Sequence, residues 1–491
     1  MSLDDVTDSR GHTPGLEASR RADLPVRWSV VPEVSSHLHT TREETRKLSD
    51  RYLSYLLCVL LGYAIMGKGF AYLGIPPLYI GEISLAAGLL VLSTNGSLYY
   101  LFRVPLLRVL AIFMLWGGIC TVPYLSVHGA DALRDAVVWG YGLFAFIVAG
   151  LVVEKPTRLR YLVLQYRRFA LLFLSIMWLV LVLFTFARDA LPLIPGTRVH
   201  VVQARGAEVM VHIAGITAFL ITGMGRVRLP YVLLLMSYFL FLSLSSRGGM
   251  LAFLLSMTLV FLLRRRQMEI SRFMPGVAVG LSLILFVALI GGGDSSITVR
   301  KYREVSFQQL WSNAVSLVSS TENEGLEGTK EWRLQWWQTI IDYTVRGDHF
   351  WTGKGYGINL ANDDGFQVRR DNELRSPHNG HLTVLARSGV PGLVLWIILQ
   401  LTWVIYMLRC YFSSKRGAYH AWSGIFLFVV AYWTAYIVII GIGVYLEGPT
   451  AGIWFWAIFG LGIAAAQVYK ERPEVLSDYR SQEQVETRVA I

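Results

Sequence analysis

Charge is what this sequence has least of. Only 16% of its 491 residues are charged, against 54% hydrophobic, and the mean hydropathy is +0.46. A soluble domain carries about 25% charged residues, so this chain has too few to cover a surface facing water. Cysteine is almost as scarce. Cys58, Cys120 and Cys410 all lie in or beside apolar runs, which leaves no disulfide framework and no thiolate metal cluster. No sequence repeat of 20–50 residues is present. The first fifty or so residues are rich in Ser, Thr, Arg and Glu and lack an apolar core. They read as a disordered tail and not as a cleaved signal peptide.

What the chain has is apolar runs of spanning length. Twelve candidate spans fall at roughly 52–66, 78–94, 104–125, 136–153, 168–187, 209–224, 229–245, 247–263, 274–291, 384–408, 421–443 and 450–468. The expected architecture is all-α, a polytopic membrane protein of about twelve helices. Several runs are shorter than the ~20 residues a perpendicular helix needs, so tilt or recessed ends follow. The domain scheme is a tail over 1–51, spans one to nine over 52–291 and a large loop over 292–383. Spans ten to twelve over 384–468 and a second tail over 469–491 complete it.

The 45 Lys and Arg against 34 Asp and Glu give +11. In a membrane protein that excess marks cytoplasmic loops, so it calls for no nucleic acid. Arg42, Arg46, Lys47 and Arg51, then Lys155, Arg158, Arg160, Arg167 and Arg168, then Arg226 and Arg228 all fall on one side. So do Arg264, Arg265 and Arg266, and finally Arg409, Lys415 and Arg416. This places both termini in the cytoplasm and the large loop outside. Between Pro230 and Leu263, Ser245-Ser246-Arg247-Gly248-Gly249 reads as a helix break with capping residues. A tight, recessed hairpin there puts Arg247 in a cavity, and an ionisable residue at membrane depth is costly and usually functional.

The loop 292–383 is too long to be a plain connection. Residues 302–318 and 331–346 read as helical, with Trp332, Trp336, Ile340 and Tyr343 at helical spacing. Trp311, Trp332, Trp336, Trp337 and Trp351 suit a loop core and interface anchor better than a sugar platform. Asp363-Asp364 reads as a solvated pair and not a metal site.

Against the positive-inside trend, Arg198, Arg205, Arg247 and Arg333 face outward. Their planar donors suit phosphate oxygens, so a basic cavity at the outer surface would suit a lipid diphosphate; Arg198, Arg205 and Arg333 also read as solvated surface charges. His378 precedes a helix start that Asn379 is placed to cap. The helix N-terminus attracts an anion and keeps the imidazole neutral, as a general base requires. His381 ranks second for that role.

The order of motifs resembles the O-antigen ligase and O-antigen polymerase superfamily. Ser246-Arg247-Gly248 opens a span, followed by Glu331-Trp332-Arg333-Leu334-Gln335-Trp336-Trp337 and Gly353-Lys354-Gly355-Tyr356-Gly357. Then come Pro377-His378-Asn379 and Ser388-Gly389-Val390-Pro391-Gly392-Leu393. The resemblance implies a metal- and cofactor-independent, inverting glycosyltransferase of the bacterial inner membrane. Its donor would be a glycan on undecaprenyl diphosphate, and its acceptor a sugar hydroxyl on a lipid A core or on another lipid-linked glycan. His378 takes the role of base, Arg247 that of the essential arginine, and Arg205 and Arg333 are looser matches. Two positions depart from the pattern: Arg387, where an acidic residue is common, and Asp348-His349-Phe350-Trp351, where a proline is common. A ligase is favoured slightly over a polymerase. Protein O-oligosaccharyltransferase and, from another class, a transporter or flippase are the alternatives.

Overall fold

The computed structural model describes residues 33–76, 78–94, 101–225, 227–264, 324–368 and 374–476, with the short pairs 297–298 and 304–305. The chain clusters into two units, 1–44 and 45–491, and the site belongs to the second. The fold is all-α. Its main helices are α1 (Glu33–Met66), α2 (Ile80–Thr94), α3 (Pro105–His128), α4 (Ala130–Gly140), α5 (Leu143–Glu154), α6 (Thr157–Phe186) and α7 (Gly206–Ile221). They continue with α8 (Leu229–Ser245), α9 (Arg247–Arg264), α10 (Glu324–Val345), α11 (Gly380–Arg416), α12 (His420–Ile440) and α13 (Pro449–Glu471).

Seven of these helices are long and apolar enough to cross a membrane, or eight if α4 and α5, bent by 46°, count as one span. Three shorter apolar helices, α2, α7 and α8, stand beside them. The expected span 274–291 lies outside the described residues, as do Trp311, Arg226, Arg265 and Arg266. A total of twelve is therefore not established. α1 begins at Glu33, inside the stretch expected to be a tail.

α12 is the hub of the body, packing against α7, α9, α11 and α13, while α13 lies closely along α5. Gly460 lies against Ala145 of α5 and Gly462 against Trp403 of α11, and small residues let helix backbones approach where no water drives them together. Several polar side chains inside the body are paired. Tyr141 donates to Glu82 Oε1 at 2.8 Å, and the Tyr432 hydroxyl meets His212 Nδ1 at 2.5 Å.

Two expectations are corrected. Residues 297–298 and 304–305 pair as a short antiparallel ladder, so the helix expected from 302 does not hold at Glu304 and Val305; the remainder of 306–318 lies outside the described residues. α11 is also not one straight span. At Gly389 the backbone leaves helical geometry with φ 68°, and a Cβ there would lie 2.4 Å from the Phe350 carbonyl oxygen. Only glycine fits. The break makes 380–388 a separate short helix ahead of the long one.

Candidate functional site

The large-loop segment folds against the start of α11. One face of α10 carries Trp332, Trp336, Ile340 and Tyr343, of which Trp336 and Ile340 are fully buried. They form a small core with Leu360, Ala361, Leu374, Leu385 and Ala386. Trp336 stacks on Phe366 and donates to Asp364 Oδ2 at 2.6 Å, so this tryptophan is core, as its spacing suggests. Trp351 is 67% exposed. Asp363 and Asp364 are not a solvated pair, because both meet Lys354 Nζ at 2.5 Å and Asp364 is buried. Burial opposes the lysine charge, but the two aspartates outweigh it and raise the Lys354 pKa. Among the described residues, no three His, Cys, Asp or Glu side chains gather as a metal site.

The Gly-rich stretch is a packing device. Gly353, Gly355 and Gly357 all have positive φ, and side chains at the last two would collide with Tyr124 and His128 at the end of α3. A buried ion cluster holds this stretch down. Arg375 and Arg387 each reach Asp135 Oδ2 at 3.0 Å, and the Gly357 amide donates to the same oxygen at 3.0 Å. Arg387 also donates to the Gly355 and Ile358 carbonyls, both at 3.3 Å. The carboxylate that Arg387 needs therefore comes from α4, far away in sequence.

His378 stands in the turn between this core and α11. Its φ is 55°, a left-handed conformation uncommon for a residue with a side chain. Trp337 Nε1 donates to the preceding Pro377 carbonyl at 2.8 Å, and the Trp332 ring lies 6.3 Å from the imidazole. On the other side, the Asn379 side chain accepts from the amides of His381 and Leu382 at 3.0 and 3.2 Å and caps α11 as expected. His381 is engaged in helix packing, its Nδ1 accepting from Trp396 Nε1 at 3.0 Å.

The arginines come from three directions. Arg247 is half-buried at the first turn of α9, where Ser246 Oγ accepts from the Gly249 amide at 3.1 Å and so caps the helix. Arg205 is the N-cap of α7, 3.9 Å from Glu208. Arg333 projects from α10; burial lowers its pKa, with Tyr445 acting against that, and its Nε has no hydrogen-bond partner. Arg198 sits on the exposed part of a turn that Gln203 and Val201 staple to the corner after α1. Nothing in those contacts carries it to the other arginines.

What gathers these parts is the connector 441–448 between α12 and α13, which the sequence reading passed over. Its Ile442 packs where a side chain at Gly248, beside Arg247, would have to go. The Tyr445 ring lies 5.9 Å from the Arg205 guanidinium, and its hydroxyl is within electrostatic reach of both Arg205 and Arg333. Burial first, and Glu208 second, push the Tyr445 phenol up to about 12 despite those arginines. Glu447 accepts from Thr383 Oγ1 at 2.7 Å and from the Ser376 hydroxyl, two residues that flank His378. Burial raises its carboxyl above the usual range, more than these hydrogen bonds and Arg387 lower it. The available signal was a lone carboxylate in a Gly-rich break between two apolar runs.

Residues 231–397 match the model of a family described as O-antigen ligase. Over that stretch, about a third of its length, the chain is similar to this family. No curated protein matches it. The matched stretch takes in α8, α9, α10 and the start of α11, and so contains Arg247, Arg333 and His378. Arg205, Asp135 and the 441–448 connector lie outside it, supplied by the rest of the membrane body.

Proposed function

We propose that the protein moves a glycan from undecaprenyl diphosphate to a sugar hydroxyl on the outer side of the bacterial inner membrane, as a ligase acting on a lipid A core. The observation that carries this reading is the gathering of Arg205, Arg333, the Arg247 helix start and the His378 turn around one connector. In this reading both termini are cytoplasmic, and residues 292–383 form the outer loop.

The chemistry follows from those groups. His378 takes the proton from the acceptor hydroxyl. The acceptor oxygen forms a bond to the anomeric carbon as the bond from that carbon to the diphosphate oxygen breaks, with inversion. The electron pair leaves with undecaprenyl diphosphate; Arg247 stabilises the charge that grows on it, and Arg205 and Arg333 hold the diphosphate. A preorganised donor at such a position is worth about 10²–10³ in rate. Asn379 fixes the helix start beside the base, with His381 behind it, and Arg198 meets the donor at the rim. The lipid diphosphate is itself the activated group, so the proposal calls for no nucleotide and no resident metal.

The test is glycan transfer by the full-length protein in proteoliposomes holding an undecaprenyl-diphosphate-linked glycan and a lipid A core acceptor. His378→Ala and Arg247→Ala should each abolish transfer at normal expression. Near-normal transfer by either removes that residue from the mechanism. The acceptor is read separately from the surface glycan of a deletion strain. Core without polymer supports a ligase, and single repeat units on the core point instead to a polymerase.

A further inference from the structure

The connector 441–448 has only eight residues, yet it faces Arg205 and Arg333 and lies beside the Arg247 helix start and the His378 turn. A segment whose sole task is to join α12 to α13 inside a packed body needs apolar contacts, and Ile442 and Leu446 supply them, Leu446 being fully buried. Tyr445 and Glu447 are different. Each brings a polar group into a confined position, which is costly unless the group is partnered. Their partners are not random. Tyr445 faces Arg205 and Arg333, which come from α7 and α10, two helices with no other described link between those side chains. Glu447 accepts from Ser376 and Thr383, one on each side of His378-Asn379.

The His378 backbone makes the second half of the case. A non-glycine residue in the left-handed region is strained and persists only where its surroundings over-determine it. Trp337 fixes the turn at Pro377, and Asn379 fixes the helix start. Among the described residues, Glu447 faces both sides, accepting from Thr383 after the turn and meeting the Ser376 hydroxyl before it. The groups facing it are the two hydroxyls, with Arg387 and Asp135 at electrostatic range.

We propose that Tyr445 and Glu447 are positioning residues of the transfer site. Tyr445 sets Arg205 and Arg333 on a single diphosphate, and Glu447 holds the His378 turn in the conformation that presents its imidazole. This rests on the transferase reading and adds to it two residues outside the stretch that matches the family. The two act on different steps. Misplaced arginines weaken the grip on the donor, whereas a misplaced base slows the step that follows binding.

The experiment is steady-state transfer by the full-length protein in proteoliposomes, with kcat and KM for the lipid-diphosphate donor resolved and His378→Ala assayed alongside. Tyr445→Ala should raise the donor KM about tenfold with kcat nearly unchanged, and Tyr445→Phe, which keeps the ring, should lie between it and wild type. Glu447→Ala should lower kcat about a hundredfold at a nearly constant KM. Glu447→Gln keeps an acceptor oxygen for Ser376 and Thr383 and should recover most of that loss. The inference is overturned if the Tyr445 and Glu447 variants transfer within twofold of wild type while His378→Ala is inactive. It is overturned equally if Gln fails to rescue and kcat and KM change together in every variant. Normal transfer by His378→Ala strikes the transferase reading itself.

Discussion

Arginine is used in two opposite ways at the loop end of this molecule. Arg375 and Arg387 converge on Asp135, share one of its oxygens and are closed in by the carbonyls of Gly355, Gly357 and Ile358. Their charge is spent within the protein. Arg333 has no carboxylate among the described residues, and Arg205 stands 3.9 Å from its only described carboxylate partner, Glu208. These two lie around a phenol, which does not neutralise them. The first pair is a clamp and the second leaves positive charge for an anion. Residue type does not separate them; the position of one aspartate does.

That contrast breaks most visibly at the clamp. Asp135→Ala strands the buried Arg387 guanidinium and leaves the half-buried Arg375 only Asp131, at 3.6 Å, and should cost about 3–5 kcal/mol, read as a large fall in the thermal unfolding midpoint in detergent. A midpoint close to wild type would mean that the clamp does not hold the loop. Arg333→Ala should do the reverse, leaving the midpoint in place while transfer at low donor concentration falls about tenfold, or about 1.4 kcal/mol. Loss of stability in that variant would make Arg333 a second structural arginine. Gly389→Ala tests the helix break that both regions share. Forcing a side chain into φ 68° against the Phe350 carbonyl should cost about 1–3 kcal/mol in the same unfolding assay.

Much of the body was legible because membrane helices announce themselves by length and composition. The starts of α3, α9 and α13 fall within two residues of the expected edges, and the break at Ser246 and the cap at Asn379 follow from short-range rules. The buried face of α10 was legible for the same reason, through its helical spacing. What was not legible depends on residues distant in sequence. Nothing local says that Arg387 will find its carboxylate at Asp135, or that Tyr445 will meet arginines from α7 and α10. The kink at Gly389 had a local signal, Arg387-Ser388-Gly389 followed by Pro391, that a single apolar span over 384–408 passed over; the approach of the Phe350 and Trp351 carbonyls is what requires glycine there.

Two smaller effects sharpen the comparison. Arg205→Lys keeps the charge but loses the planar fork, so the donor KM should rise severalfold with stability unchanged. An equal KM would reduce Arg205 to a point charge. Glu447 offers a pH test. Its folded pKa is raised, so its contribution to stability is full below the ordinary carboxylate range and is lost as pH rises through the raised value. The unfolding midpoint of wild type should therefore fall relative to that of Glu447→Gln across that interval; a constant difference would show that the carboxyl does not titrate there.

The central claim is that the arginines around Tyr445 hold a diphosphate. Binding of undecaprenyl diphosphate to the full-length protein in nanodiscs, with Arg333→Ala and wild type compared at equal stability, tests it most directly. The account predicts at least tenfold weaker binding by the variant, with undecaprenyl monophosphate weak for both. Equal affinity of the two proteins for the diphosphate would contradict it.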